Sequence, residues 1–216
     1  MGGRMKQGVR RGSGVVAGWA LLALLTGCGG EDSTGPAGMS PQCPGVLMEG
    51  NRVLALVPAS DAYVWEAEGG TIHGRERKLV ADNLSRRSAF LRFEVPALPG
   101  PVLNARLHLY ALDGSTDGPQ LFEATADWNE DEPTWAGLPT LVGEPLGDAG
   151  DVPHGSWVEY DVARTVKGLG TYGFALVTES RNGVDFASKD HARQELTPLL
   201  VLTVDTPAGS ECGPAR

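Results

Sequence analysis

The sequence predicts an all-β protein, built as one antiparallel β-sandwich of about nine or ten strands with one short helix. Three observations predict this class. The apolar segments are short, and several alternate with polar residues as half-buried strands do. Glycine (30) and proline (15) are abundant, which favours many turns over long helices. Turn residues separate the apolar segments at a spacing typical of sandwiches.

Nine segments carry the strand pattern. In 88–95 apolar and polar residues alternate cleanly, and 105–110 places Arg106, His108 and Tyr110 on one face. The nine predicted strands are 53–57, 62–65, 88–95, 105–110, 120–126, 156–160, 173–178, 184–188 and 199–204.

A single segment, 161–169, has a helical pattern. Asp161 is placed as an N-cap, and Val162 and Val166 fall on one side. Gly170 is placed to end the helix. This segment supplies the one predicted helix.

The composition indicates one folded domain with an acidic surface. The 216-residue chain is 41% hydrophobic and 21% charged, so it can bury a core, and disorder throughout is excluded. Its formal net charge is −9. So acidic a chain is a poor ligand for nucleic acid, because phosphate binding depends on clustered Lys and Arg. We expect no nucleic-acid partner.

Residues 1–27 resemble a bacterial lipoprotein signal peptide. Four cations and no acid precede an apolar run at 15–25, which is too short to cross a bilayer and suits a secretory signal. The run ends in Leu-Thr-Gly-Cys, which resembles a lipobox and implies lipidation of Cys28. Gly29, where inner-membrane retention would favour Asp, indicates the outer membrane. The alternative is an ordinary secretory signal with a chance cysteine.

Cleavage before Cys28 removes four cations and no acid, leaving a net charge of −13. Residues 28–44 lack apolar periodicity, which predicts a flexible tether that begins with the lipidated cysteine. The sandwich domain is predicted at 45–212, followed by a short tail at 213–216. Cys43 and Cys212 bracket that domain in an oxidising compartment, so we expect them to form a disulfide. Two free or intermolecular thiols are the alternative.

A series of short motifs runs along the body of the chain. In order they are Asp-Ala-Tyr-Val at 61–64, Phe-Leu-Arg-Phe at 90–93, Ala-x-Leu-x-Leu-Tyr at 105–110, Trp-x-Glu and Thr-Trp within 128–135, Gly-x-Trp at 155–157, Phe-Ala-Ser-Lys-Asp at 186–190 and Pro-Leu-Leu at 198–200. Over about 53–204 the series resembles the DNRLRE-type β-sandwich domain, which overlaps carbohydrate-binding module family 96 and is related to the disaggregatase repeats. The resemblance implies a jelly-roll-like arrangement and a non-catalytic module that binds polysaccharide.

One stretch of the acidic chain is basic. Between residues 73 and 93, six cations oppose two acids, a local charge of +4. Because Arg binds carboxylate or sulfate through two parallel bonds, the stretch predicts a site for an anionic polysaccharide, with Trp65 as an exposed aromatic neighbour. The alternative is solvated loop charges, with Arg92 paired internally. The predicted ligand-binding residues are Arg75, Arg77, Lys78, Arg86, Arg87, Arg92 and Trp65.

The remaining aromatic and acidic residues are weaker candidates. Trp128 and Trp135 are predicted to pack in the core rather than stack on sugar rings. The acids between 127 and 132 predict a solvated loop or bound Ca²⁺ more than a pair of catalytic carboxylates at fixed separation. Structural Ca²⁺ stays open, with Asp61 or Asp113 as ligands.

Hydrolase motifs such as Gly-x-Ser-x-Gly and His-Glu-x-x-His are missing from the sequence, so we predict no catalytic residues and no enzyme. The leading hypothesis is a surface lipoprotein, membrane-bound through its lipid anchor alone, that binds acidic polysaccharide without cutting it. A structural or adhesion module that binds a protein partner in the envelope is the alternative. A lyase or hydrolase comes third.

The disulfide prediction has a direct test. We expect thiol titration of the unreduced mature protein to find Cys43 and Cys212 unreactive. Reduction should lower the free energy of unfolding by roughly 5 kcal/mol, because the cross-link closes a very long loop. The double variant Cys43→Ser/Cys212→Ser should unfold like the reduced protein. Two titratable thiols would contradict the pairing.

Overall fold

The computed structural model describes residues 46–48 and 50–206, which form twelve strands and two short 3₁₀ helices. The 3₁₀ helices are Glu66–Glu68 and Gln194–Leu196. The strands are β1 (Val46–Met48), β2 (Asn51–Leu56), β3 (Ser60–Trp65), β4 (Lys78–Ala81), β5 (Arg87–Val95), β6 (Val102–Tyr110), β7 (Gln120–Ala124), β8 (Leu141–Asp148), β9 (Trp157–Asp161), β10 (Gly170–Val177), β11 (Val184–Ala187) and β12 (Leu199–Asp205).

Several sequence predictions fall outside these residues. They are the signal peptide at 1–27, the lipidation site Cys28 with its tether, the paired cysteines Cys43 and Cys212, and the tail at 213–216. They stay predictions. Within the residues that the structure describes, no helix has the length and apolar character needed to cross a bilayer.

The strands form two five-stranded sheets and one two-stranded sheet, all antiparallel. The front sheet has the order β1-β2-β12-β6-β9, and the back sheet has the order β3-β5-β10-β7-β8. The small sheet pairs β4 with β11. The predicted all-β sandwich is confirmed, whereas the jelly-roll arrangement stays a prediction.

The inward side chains of the front and back sheets share one hydrophobic core. Leu107 and Leu202 come from the front sheet, Leu91 and Phe174 come from the back sheet, and all four are fully buried. Along β6 buried and partly exposed residues alternate as the sequence predicts, because successive side chains of a strand point to opposite faces. The core therefore follows from period-2 patterning in strands that are distant in sequence.

The small sheet joins the two large sheets at one side of the sandwich. A tight turn links β4 to β5, with Asp82 and Arg87 exchanging both backbone hydrogen bonds, at 3.0 and 2.7 Å. At the other strand, Phe186 of β11 bridges Ala111, directly after β6. Leu79 and Phe186 are both buried in the main core, so the small sheet is part of the packed interior.

Three strands were not predicted from the sequence, so the predicted number of strands is too low. All nine predicted strands are present, but β1, β4 and β8 are additional. β1 has three residues and β8 contains Gly143 and Pro145, and both lie at sheet edges where such residues are tolerated. In β4 three consecutive residues are buried, so no alternation signals a strand.

The predicted helix at 161–169 is wrong. Asp161 belongs to β9, and its Oδ1 accepts a hydrogen bond from the Ala163 amide at 3.0 Å. One turn forms, in which the Val166 amide donates to the Val162 carbonyl at 2.9 Å, and it then stops. The Val162 amide donates to the Ala105 carbonyl of β6 at 3.0 Å. The residues that would have begun a helix therefore form hydrogen bonds with the sheet instead.

The core assignment predicts a difference between two leucines of β6. Leu107→Ala should lower the free energy of unfolding by about 2–5 kcal/mol, because the fully buried side chain leaves a cavity. Leu103→Ala, at a side chain that is 54% exposed, is the matched control and should change it by less than about 0.5 kcal/mol. Urea denaturation followed by tryptophan fluorescence measures both. Equal losses would contradict the core assignment.

Candidate functional site

The outer face of the back sheet is apolar at its centre and is covered by residues 125–140, which we name the covering loop. Phe90 of β5 and Ala175 of β10 point outward yet are buried there. Trp128 of the loop packs against them at 9% exposure, and its Nε1 donates to the Thr125 carbonyl at 3.0 Å. Trp135 is half-buried in the same cluster. The structural role predicted for these tryptophans fits this packing.

Two of the predicted ligand-binding arginines hold the covering loop. Arg92 of β5 donates from Nε to the Ala126 carbonyl at 2.9 Å, and its Nη2 pairs with Glu94 at 2.8 Å. Arg75 forms a two-bond pair with Asp131, at 3.2 and 2.9 Å. This pairing raises the pKa of Arg75 and lowers the pKa of Asp131. The internal pairing considered for Arg92 is therefore present.

Two consecutive arginines lie against two tryptophans where β3 ends and β5 begins. The Arg86 guanidinium carbon lies 5.3 Å from the centroid of the Trp135 ring, and that of Arg87 lies 4.0 Å from the Trp65 ring. Arg86 also donates to Glu66 at 2.6 Å. Both distances are within the range of cation–π attraction. We name these five residues the arginine–tryptophan cluster.

Arg86 reaches this position through an unusual backbone. Its φ is +43°, in the left-handed region that non-glycine residues enter at a cost. It ends the turn from β4, directly before β5 begins at Arg87. The two side chains therefore diverge, one towards the covering loop and one towards the edge strand β3.

The other two predicted cations lie where the small sheet begins, with Lys78 as the first residue of β4 and Arg77 directly before it. Lys78 pairs with Asp185 of β11 at 2.7 Å. Arg77 is exposed, and no ion pair joins it to another residue of the described chain. Trp65, predicted to be exposed, is instead half-buried against the main core beneath Arg87. The basic stretch is therefore mostly compensated by acids rather than a bare cationic rim.

A network around Lys189 fixes the covering loop from its other side. The Lys189 ammonium pairs with Glu130 at 2.7 Å and with Asp190 at 2.9 Å. Its amide donates to Oδ2 of Asp61 at 2.7 Å, while Oδ1 of Asp61 is buried without a hydrogen-bond partner. Burial raises the pKa of Asp61 to about 7, against the opposing effect of the Lys189 amide.

The two candidate calcium ligands lie in different settings. Asp61 is 1% exposed and faces the positively charged Lys189, whereas Asp113 accepts a hydrogen bond from the Gly114 amide at 2.8 Å in an exposed turn. Across residues 46–48 and 50–206, no three His, Cys, Asp or Glu side chains are grouped to hold a metal ion. The structure does not bring Asp61 and Asp113 together as one site.

The segment before β4 packs closely on the covering loop, a contact that the sequence analysis did not find. A Cβ at Gly74 would lie 1.8 Å from the Glu130 carbonyl oxygen, so only glycine fits. Next to it, the buried His73 ring stacks on Tyr63 with centroids 4.3 Å apart, and its Nε2 lies 3.3 Å from Glu68. The His-Gly pair at 73–74 was the available signal, but its partners are distant in sequence.

A sandwich whose exposed end carries arginine and tryptophan side chains has the character of a binding module. The sequence profile of carbohydrate-binding module family 96 matches residues 53–204, well over half of the chain. The chain belongs to carbohydrate-binding module family 96. No curated protein matches it.

The raised pKa of Asp61 predicts an effect on stability. Between pH 4 and pH 7 the unfolded chain releases a proton that folded Asp61 keeps, so its contribution to the free energy of unfolding falls as pH rises. Asn cannot ionise, so the free energy of unfolding of Asp61→Asn should not fall in this way. Relative to wild type it should therefore rise between pH 4 and pH 7, by up to about 4 kcal/mol. Urea denaturation at several pH values measures this difference.

Asp113→Asn, which removes a carboxylate from an exposed turn, is the matched control for the substitution itself. A constant difference between Asp61→Asn and wild type from pH 4 to pH 8 would show that Asp61 ionises normally in the folded protein.

Proposed function

We propose that this family-96 module binds an acidic polysaccharide through the arginine–tryptophan cluster and the neighbouring segment 75–78, and that it does so without cleaving the chain. The observation that carries the proposal is the placement of Arg86 and Arg87 on Trp135 and Trp65. A stacked guanidinium is held in position while its edge can still donate paired hydrogen bonds to carboxylate or sulfate.

The ion pairs at this site are exposed enough to exchange partners. The side chains of Arg75 and Asp131 are 73% and 55% exposed, and those of Arg86 and Glu66 are 57% and 43% exposed. Exposed pairs of this kind contribute little to stability, because water and salt screen them. At Arg86 a uronate or sulfate group can therefore replace the Glu66 carboxylate at little cost. Exposed Arg77 adds a cation on the same segment.

Three of the four carboxylates of the covering loop hold the loop in place, which supports a role without catalysis, while the fourth, Asp127, is exposed. Asp131 pairs with Arg75, and Glu130 pairs with Lys189. Glu132 accepts a hydrogen bond from the Asn129 amide at 2.9 Å. Each of these acids is engaged in holding the loop, whereas glycoside hydrolysis needs two carboxyl groups that face the scissile bond.

The proposed setting is the cell envelope. Lipidation at Cys28 would anchor the protein, since acyl chains contribute about 0.8 kcal/mol per buried methylene. The tether to residue 44 would hold the module away from the membrane, where it meets extracellular polymer. The lipobox-like motif and the absence of Asp after Cys28 support an outer-membrane location.

Affinity electrophoresis tests the proposed site. The full-length chain should be retarded in gels that contain alginate, pectate or a sulfated glycan. Arg77→Ala and Arg86→Ala should each weaken retardation severalfold, because each removes a donor to the anionic groups. Arg87→Lys keeps the charge and should also weaken retardation, because lysine lacks the planar guanidinium that donates two parallel hydrogen bonds.

Arg164→Ala is the matched control, since it removes one exposed cation from a different part of the fold. Its retardation should equal that of wild type. The proposal fails if wild type moves freely in all three gels. It also fails if Arg164→Ala loses as much retardation as the cluster variants, since net charge alone would then explain the effect.

A further inference from the structure

The outer face of the front sheet differs in chemistry from the covered face of the back sheet. Because Leu107 and Leu109 of β6 point into the core, His108 and Tyr110 point outward. These two side chains stay half-exposed, and the adjoining Trp157 of β9 is 42% exposed. This face therefore presents polar and aromatic side chains to solvent on a regular sheet.

Tyr110 and Trp157 form an aromatic pair at one end of this face. They lie directly opposite each other in the pairing of β6 with β9. Their ring centroids are 5.3 Å apart and their planes meet at 74°, an edge-to-face arrangement. In this arrangement one ring points its edge at the face of the other. Neither face of the first ring is covered by its partner, so a third flat group can stack on it.

Backbone hydrogen bonds fix the position of this pair. The Ala111 amide donates to the Ser156 carbonyl at 2.8 Å, and the Gly155 amide donates to the Ala111 carbonyl at 2.9 Å. Gly155 has a φ of +71°, which lets the chain turn into β9 directly before Trp157. The aromatic pair is therefore arranged before any ligand arrives, which lowers the entropy cost of binding.

Polar side chains continue from the aromatic pair along the same two strands. Nδ1 of His108 lies 3.4 Å from Glu159, and Arg106 lies 3.7 Å from Asp161. The Arg106, Glu159 and Asp161 side chains are 41–60% exposed. Together they offer hydrogen-bond donors and acceptors in two adjacent rows.

On this face two carboxylates oppose one arginine, so the local charge does not attract a polyanion. At the arginine–tryptophan cluster, by contrast, two arginines oppose one acid. Arg106 is compensated by Asp161, and Glu159 adds a further carboxylate beside His108. An anionic polymer would meet carboxylates here, whereas uncharged hydroxyl groups can bond to both partners of each pair. Aromatic surface beside balanced polar groups suits a pyranose ring, which has apolar C–H faces and a rim of hydroxyls.

We infer that the outer face of the front sheet, centred on Trp157 and Tyr110, is a second carbohydrate-binding surface, and that it takes a neutral polysaccharide. The inference rests on membership of a carbohydrate-binding family and on this face alone, and it does not depend on the acidic-polysaccharide site. A module with both surfaces would bind an acidic and a neutral polymer at once and connect them.

The test uses affinity electrophoresis of the full-length chain in gels that contain hydroxyethyl cellulose, mixed-linkage β-glucan, galactomannan or arabinoxylan. Wild type should be retarded by at least one of them. Trp157→Ala should weaken that retardation by about tenfold or more, because a central aromatic contact contributes a large share of binding. Trp157→Phe should restore part of it, and thermal unfolding should confirm that both variants fold.

Cross-controls separate the two sites. Arg86→Ala should bind the neutral polymer like wild type, and Trp157→Ala should bind alginate or pectate like wild type. Failure of wild type to bind any of the four neutral polymers overturns the inference and leaves the acidic site untouched. Full retention of neutral binding by folded Trp157→Ala overturns it too. A protein that occupies this face and is released by Trp157→Ala, with no neutral glycan bound, would assign the face to a protein partner instead.

Discussion

The apolar centre of the back sheet's outer face is the constraint on which the rest of the structure depends. Phe90 points away from the main core and is only 2% exposed, so the chain must supply a cover. Residues 125–140 provide it through Trp128, and the cover must then be held in place. Arg92, Arg75 and Lys189 do so from different sides. The need to bury apolar surface therefore explains why several of the protein's basic side chains bind the covering loop.

This arrangement gives the two faces of the sandwich different chemistry. On the back sheet, packing beneath the covering loop leaves arginine and tryptophan side chains at its end, beside β3. On the front sheet, the outward residues keep their exposure and pair across β6 and β9. The two groups of residues form independently of each other, so the two proposed ligands would be bound by separate surfaces.

The sequence predicted strands well wherever one face of the strand is buried and the other is exposed to solvent. β5 and β6 are clear examples, because alternation is a local property of consecutive residues. It failed for β4, which is buried on both faces, and for the 161–169 segment, where pairing of Val162 with β6 decided the outcome. It found the cations of the site but not their partners, since Asp131 and Asp185 lie far away in sequence.

The sequence by itself determined the all-β class, the positions of most strands and the family, because each depends on short patterns in chain order. Only the tertiary structure decided which side chains are available. It showed that Trp65 is half-buried under Arg87, and that Trp157 is exposed beside Tyr110. Such facts depend on strand register and on the covering loop. Contacts between residues distant in sequence set them, and no local pattern records such contacts.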